Sequence, residues 1–167
     1  SYTGIRQDPM LNDAASCPDV GIEPNDDPST ARSPGPVEPG KPPVIIGNLA
    51  ICPGGIRMET GKHDRDFIAV DTSATTGALT LMAELSYDVK YGDLDVGIMD
   101  STGTLLQFDN SPTSNSCVLS AVTQGIYYVV IVGALDVDSN RYTLKLRTAG
   151  AGTQLSCTAM MPTDMAL

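Results

Sequence analysis

The chain has 167 residues, a length typical of one domain built around a single core. Its 20 acidic and 10 basic residues give a formal net charge of -10, and such a polyanion repels the phosphates of nucleic acids and of anionic membranes. Composition therefore argues against a nucleic-acid partner. The lack of any apolar stretch approaching ~18 residues argues against membrane insertion.

Residues 1–43 contain most of the prolines, including those of the Glu-Pro-Asn-Asp segment at 23–26 and of the Pro-rich stretch 33–43. Proline has no backbone N–H and a fixed φ, so it disfavours both helix and regular sheet. The sequence predicts an extended N-terminal arm over 1–43. That arm rests either on its own domain or on a neighbouring molecule.

From Val44 onward the apolar residues recur with a period of two, which is typical of strands with one buried face. The 126–132 segment is apolar on both faces and predicts a central strand covered on both sides. Gly, Asp, Asn, Ser and Pro fill most of the gaps between these segments. The predicted strands are 44–51, 66–71, 78–85, 94–99, 104–109, 117–123, 126–132 and 142–147.

About eight short strands at this spacing predict an all-β, antiparallel β-sandwich, jelly-roll-like, over residues 44–148. The remaining residues, 149–167, predict a C-terminal tail tied down by Cys157. The acidic stretch 136–140 reads as a hairpin loop between the last two strands, and its residue types need no bound cation to form a turn.

The chain has four cysteines and no Cys-x-x-Cys pair, which argues against zinc and thioredoxin-like sites. Two disulfides are the better interpretation, and they predict an oxidising, extracellular compartment. The cysteines alone leave three connectivities open. A start at Ser1 fits a mature secreted product, and a trimmed chain would look the same.

Several short segments, in chain order, resemble the bacterial pre-peptidase C-terminal domain, a family related to the collagen-binding domains of clostridial collagenases. The resemblance covers residues 19–148 and implies a β-sandwich secreted by bacteria beside extracellular hydrolases. The matching segments are Glu23-Pro24-Asn25-Asp26 with Ala31, Cys52-Pro53-Gly54, Asp64-Arg65-Asp66-Phe67, Gly92-Asp93-Leu94-Asp95-Val96, Asp100-Ser101-Thr102-Gly103, Gly125-Ile126-Tyr127-Tyr128-Val129-Val130 and Tyr142-Thr143-Leu144.

The resemblance also implies a calcium site that joins the arm to the sandwich. Carried over residue by residue, its ligands are Glu23, Asn25, Asp26, Asp64 and Asp66. Calcium takes about six to eight oxygen ligands, and an arm without regular structure gains order when carboxylates share a cation. The alternative is an Asx-turn at 25–26 with the two later carboxylates in a solvated turn.

The resemblance implies a Cys17–Cys52 disulfide, because relatives often carry one cysteine before Glu-Pro-Asn-Asp and one before Pro-Gly. That pairing leaves Cys117 with Cys157. Each bond would fasten a long segment to the sandwich, contributing about 2–4 kcal/mol by the loop-entropy account.

Residue types argue against catalysis. The one histidine, His63, lies beside Asp64, but neighbours in an extended segment point to opposite faces and do not pair as base and orienting group. A small secreted hydrolase is the enzyme alternative; carboxylate pairs usually act beside aromatic sugar platforms, and the chain has no Trp.

The sequence favours a secreted, non-catalytic, calcium-stabilised domain that binds extracellular protein or polysaccharide or accompanies a secreted hydrolase. Candidate ligand-surface residues are Tyr87, Tyr91 and Tyr128. The alternative is that Tyr127, Tyr128 and Tyr142 belong to the core and rim of the sandwich. The rival hypothesis is a structural subunit of an extracellular filament or surface layer, whose arm adds to the next copy. A binding module predicts an arm docked on its own domain, and a filament predicts an arm docked on a neighbour.

Overall fold

The computed structural model describes residues 25–52, 64–111, 115–134 and 140–157. Within them the chain forms eight strands and two short 3-10 turns, Pro28–Thr30 and Val89–Tyr91. Each strand overlaps a predicted strand, with ends that differ by up to three residues. The strands are β1 (Val44–Ile51), β2 (Arg65–Asp71), β3 (Leu79–Ser86), β4 (Leu94–Asp100), β5 (Leu105–Asp109), β6 (Asn115–Val122), β7 (Ile126–Gly133) and β8 (Asn140–Gly150).

The strands form two four-stranded sheets, with the orders β1-β8-β3-β6 and β2-β7-β4-β5. All pairings between these strands are antiparallel. The all-β sandwich predicted from period-two patterning is confirmed, and the two interleaved sheets have the double-sheet form of a jelly roll. The hairpin predicted between the last two strands is wrong, because β7 and β8 lie in different sheets.

The core lies between the sheets and is built from the inward-facing residues of every second position. On β3 these are Leu79, Leu81, Ala83 and Leu85, as the alternation predicted. β7 is central between β2 and β4, and Ile131 is fully buried on its inner face. Its outer face is only half-buried, so the prediction of cover on both sides holds for one side alone. No helix among the described residues is long and apolar enough to cross a membrane.

The described part of the arm lies on its own domain. It runs parallel to the free edge of β2, with isolated bridges from Arg32 to Ile68 and from Pro36 to Asp71. The arm then crosses to the other sheet, where Val37 is buried in the core and its carbonyl accepts a hydrogen bond from Thr148 Oγ1 at 3.1 Å. The arm therefore covers an edge that would otherwise expose unpaired backbone groups.

Candidate functional site

The backbone of β2 holds the arm from the start of its described part, at Asn25. The amide of Phe67 donates to the carbonyl of Asn25 at 2.9 Å, and the amide of Arg32 donates to the carbonyl of Phe67 at 3.1 Å. The amide of Ala69 in turn donates to the carbonyl of Arg32 at 2.7 Å. Arg32 can both donate and accept a backbone hydrogen bond because it lies between the prolines at 28 and 34 and keeps its own N–H, which proline lacks. The arm is thus an irregular extra strand.

Arg65 links β2 to the arm through both its backbone and its side chain. Its amide donates to Asp26 Oδ1 at 3.2 Å and its Nε donates to the carbonyl of Asp26 at 3.0 Å. One terminal nitrogen lies 3.8 Å from Asp27 Oδ1, and the guanidinium lies 5.4 Å from the ring centroid of Phe67. Arg65 and Phe67 are two residues apart and so share the outer face of β2. One guanidinium therefore contacts two consecutive arm residues and an aromatic ring.

Buried polar side chains are concentrated at this junction. Asn25, Asp26 and Asp66 are each 0% exposed. Asp66 Oδ2 accepts a hydrogen bond from the hydroxyl of Tyr142, which reaches it from β8 of the opposite sheet. The solvated turn considered as the alternative for Asp66 is therefore wrong. Burying a carboxylate is costly unless hydrogen bonds or a cation compensate the lost hydration, so this cluster depends on its contacts.

Of the other two residues predicted to bind calcium, only Asp64 belongs to the described part of the chain. Asp64 Oδ2 accepts a hydrogen bond from the amide of Cys52 just after β1, and Asp64 is only half-buried. Glu23 lies outside the described residues. Within the described ranges, no three His, Cys, Asp or Glu side chains converge well enough to hold a metal ion.

The chemistry of Asp26 nevertheless fits a cation. Its carboxylate is fully buried, and Oδ2 has no hydrogen-bond partner in the described part of the chain, while Oδ1 accepts only the weak 3.2 Å bond from Arg65. A buried carboxylate oxygen without a donor favours a bound metal ion, and Asn25 and Asp66, which are also fully buried, carry side-chain oxygens of the type that calcium takes. These three residues are the described members of the predicted ligand set that lie buried together at the junction.

The three candidate tyrosines have different environments. Tyr87 is only 7% exposed, and its hydroxyl donates to Asp93 Oδ1 and to the carbonyl of Leu94, each at 2.8 Å. Burial raises the pKa of Tyr87 to about 12. Tyr87 is a core residue, so its prediction as part of a ligand surface is corrected. Tyr128 lies half-buried on the outer face of β7, and Tyr91 lines an open pocket beside β1 and β8.

The C-terminal tail is fastened at the opposite side of the sandwich. A disulfide joins Cys117 on β6 to Cys157, with their Cα atoms 5.6 Å apart, as predicted. Cys52 is also disulfide-bonded, and its predicted partner Cys17 lies outside the described residues, as does His63.

Sequence reasoning did not single out Arg65 or Tyr142 for this junction. The signal available for Arg65 was a lone cation between two aspartates, two residues before an aromatic ring. Tyr142 gave no signal, because its contact with Asp66 joins residues 76 positions apart in different sheets. Such contacts depend on sandwich geometry and not on local pattern.

No family model and no curated protein matches the chain. Among solved structures, the chain is similar to the pre-peptidase C-terminal domain of a collagenase from Bacillus anthracis, with 10% identity, a TM-score of 0.48, and coverage of 74% of this chain and 99% of that one. That domain belongs to the family which the sequence motifs resemble. A carbohydrate-binding module of the lichenase 5A from Cellvibrio mixtus, solved with cellotriose, has 9% identity, a TM-score of 0.28, and coverage of 61% of this chain and 98% of that one. Likenesses of this degree carry no information about ligand or activity.

Proposed function

We propose that the chain is a secreted, non-catalytic binding domain, stabilised by calcium at the junction between the arm and β2, with an extracellular polysaccharide or protein as its ligand. The observation that carries the proposal is the docking of the arm on its own domain. The described part of the arm occupies the β2 edge and inserts Val37 into the core. An arm used in this way closes the sandwich, which a self-contained module needs and a filament subunit does not.

The calcium part of the proposal is supported by the buried charge at the junction. Asp26 and Asp66 are both fully buried, and Arg65 is the cation contacting this part of the arm. Calcium would supply the positive charge and the coordination that Asp26 Oδ2 lacks among the described residues. Because calcium binds the docked arm better than a released one, it would stabilise the folded chain by mass action.

Secretion is supported by the cysteines. The Cys117–Cys157 bond and the disulfide at Cys52 would be reduced by the thiol buffers of a cytosol but persist outside the cell. The net charge of -10 supports a ligand that is not itself strongly anionic.

The proposal is tested by light scattering with size-exclusion chromatography and by thermal unfolding, each in calcium and then in EGTA. We expect a monomer in both conditions and a lower melting temperature in EGTA. Calcium at ~100 times its dissociation constant would add about 2.7 kcal/mol to the free energy of unfolding. The Asp26→Asn variant keeps the size of the side chain but loses its charge, so we expect its melting temperature to be insensitive to EGTA.

Asp100→Asn is the matched control. Asp100 is the last residue of β4, and its carboxylate accepts hydrogen bonds from the amides of Thr102 and Thr104, so its substitution should leave the calcium response intact. Equal melting temperatures of the parent in calcium and EGTA would show that calcium does not stabilise the chain. Large assemblies that disappear when residues 1–43 are deleted would replace the binding module with a structural subunit.

A further inference from the structure

A pocket of about 250 Å³ opens beside β1 and β8, near Asn48 of β1 and the first residues of β8. It lies between these strands and the 3-10 turn Val89–Tyr91 that follows β3. The volume is below the ~300–1,000 Å³ typical of drug-sized ligand sites, so it has room for a group of about one ring. Its lining residues are Asn48, Asp88, Tyr91, Asn140, Arg141, Tyr142 and Thr143.

One wall of the pocket is an irregularity in β1. Ile46 pairs with Leu144 and Leu49 pairs with Tyr142, so Gly47 and Asn48 together oppose one residue of β8. At this bulge Asn48 has φ of 59°, and among the described residues it is the non-glycine residue with positive φ. Bulges redirect side chains and are frequent at binding sites, and Asn is a residue that tolerates this conformation. The bulge places Asn48 in the pocket lining.

The facing wall is held by Asn140. Its Nδ2 donates to the carbonyl of Asp88 at 2.6 Å and to the carbonyl of Gly92 at 3.0 Å. Asn140 is 2% exposed, so these bonds form away from competing water. One buried amide thus fixes both ends of the turn that carries Tyr91. A wall fixed before binding costs little entropy when a ligand arrives.

The pocket lining contains one acidic and one basic side chain. Asp88 is the acidic residue and Arg141 the basic one, and Asp88 is also paired with Lys90, whose Nζ lies 3.2 Å from Asp88 Oδ2. Lys90 Nζ also lies 4.8 Å from the centroid of the Tyr91 ring. The net charge of -10 on the chain disfavours a strongly anionic ligand, so a neutral ligand is favoured at this pocket. The asparagine, aspartate, arginine and threonine side chains favour a ligand with several hydroxyl groups.

Tyr91 supplies the apolar surface that such a ligand needs. Tyr91 is a partly exposed lining residue, whereas Tyr142, which also belongs to the lining, is buried. A tyrosine ring offers a flat face at low conformational cost, and the flat apolar face of a sugar ring packs on it. In a chain without Trp, Tyr91 is placed to act as this platform.

We infer that this pocket binds one pyranose ring of a neutral polysaccharide, with Tyr91 as the apolar platform and Asn48 and Asp88 as hydrogen-bonding groups to its hydroxyls. The inference rests on the proposed function and narrows its ligand from protein or polysaccharide to neutral polysaccharide.

The test uses the full chain in calcium, with native affinity electrophoresis through gels that contain a neutral β-glucan, xylan, mannan or galactan, or the acidic polygalacturonate. Fibrillar collagen is assayed in parallel by co-sedimentation. We expect retardation by at least one neutral polysaccharide. Tyr91→Ala should weaken that binding about tenfold, as expected for an aromatic anchor. Asn48→Gly, in which glycine keeps the positive φ, should weaken it by about threefold or more.

Tyr91→Phe retains the ring and should bind within about threefold of the parent, which separates loss of the platform from loss of the fold. Asn110→Gly, an exposed asparagine in the β5–β6 connection, is the matched control for Asn48→Gly and should bind as the parent does.

Neutral-polysaccharide binding that survives both Tyr91→Ala and Asn48→Gly would overturn the pocket but leave the binding function intact. Binding lost in Tyr128→Ala and kept in Tyr91→Ala would also overturn it, moving the site to the outer face of the other sheet. Binding only to polygalacturonate or collagen would overturn the inferred ligand class while a binding function stands. Binding to none of these probes would overturn both the inference and the proposed function.

Discussion

The sandwich fastens its two flanking segments by different means. At the β2 edge, the arm is held by backbone hydrogen bonds and by the charges of Arg65, Asp26 and Asp27. At β6, the tail is held by the Cys117–Cys157 bond. Polar contacts respond to ions, salt and pH, whereas a disulfide responds only to redox conditions. The described stretch of the arm is therefore held by adjustable contacts and the tail by a permanent one, and the predicted Cys17–Cys52 bond would add a permanent attachment to the arm at Cys52.

Removing the Cys117–Cys157 disulfide should have the largest effect on the free energy of unfolding. The disulfide closes a separation of 40 residues, for which the loop-entropy account gives about 4 kcal/mol of stabilisation. We expect the Cys117→Ser, Cys157→Ser double variant to lose about 2–4 kcal/mol in urea unfolding with little change in the calcium response. A variant whose calcium response disappeared with the disulfide would show that the two attachments are coupled, contrary to this comparison.

Weakening the polar attachment should have an intermediate effect. Arg65→Ala removes the donor to the Asp26 carbonyl and leaves the buried Asp26 carboxylate without a nearby guanidinium, at a cost of about 1–3 kcal/mol. We expect limited proteolysis to cut the arm at lower protease concentration, with Arg65→Lys intermediate. Lys145→Ala is the control, since its 3.7 Å pair with Glu84 is partly exposed and contributes about 0–1 kcal/mol. Equal protection of the arm in all three variants would rule out Arg65 as its anchor.

The smallest expected effect concerns pH at the tail side. Asp109 accepts hydrogen bonds from Ser111 at Oδ1 and from the Cys117 amide at Oδ2, each at 2.9 Å or less. Burial would raise its pKa, but the bonds from Ser111 and from Cys117 outweigh burial, so the pKa of Asp109 lies below its ordinary 3.8. A carboxyl with a lowered folded-state pKa stabilises the protein above its ordinary pKa, and that contribution is lost as the pH falls through the lowered value.

We therefore expect the free energy of unfolding of the parent to fall as the pH drops below about 4, and to fall less steeply in Asp109→Asn. Urea unfolding at several pH values between about 2 and 6 measures this slope. Asp71→Asn is the comparison variant, because hydrogen bonds from the Ser73 side chain and backbone also lower the pKa of Asp71, at the end of β2 in the other sheet from β6. A parent and an Asp109→Asn variant with the same slope would exclude Asp109 as a source of the pH dependence.

The strands were predictable because a sheet with one buried face has apolar residues at every second position of each strand. The alternation from Leu79 to Leu85 and the two-sided apolar run at 126–132 each became a strand at the predicted place. The hairpin between the last two strands was not predictable, since a short polar connection is compatible with a hairpin and with a crossover between sheets. Strand pairing is a long-range property, and local residues do not encode it.

The candidate sites were predictable only in part. Motif order pointed to Asn25, Asp26 and Asp66, which are all buried at the arm junction. Neither motif order nor alternation indicated that Tyr87 is a core residue. Tyr87 follows the last residue of β3, and alternation predicts the residues of a strand better than those that come after it. The pocket beside Asn48 was also not predicted, because a bulge arises from a register shift between β1 and β8 that neither strand shows alone.

The amino-acid sequence by itself determined the fold class, the number of strands and their places along the chain, the acidic net charge and the extended character of the arm. Each of these follows from composition or from local periodicity. The tertiary structure decided the course of the arm along β2, the contact of Tyr142 with Asp66, and the convergence of Asn48, Tyr91 and Asn140 on one pocket. These features join residues far apart in the chain, and only the packing of two sheets brings them within contact distance.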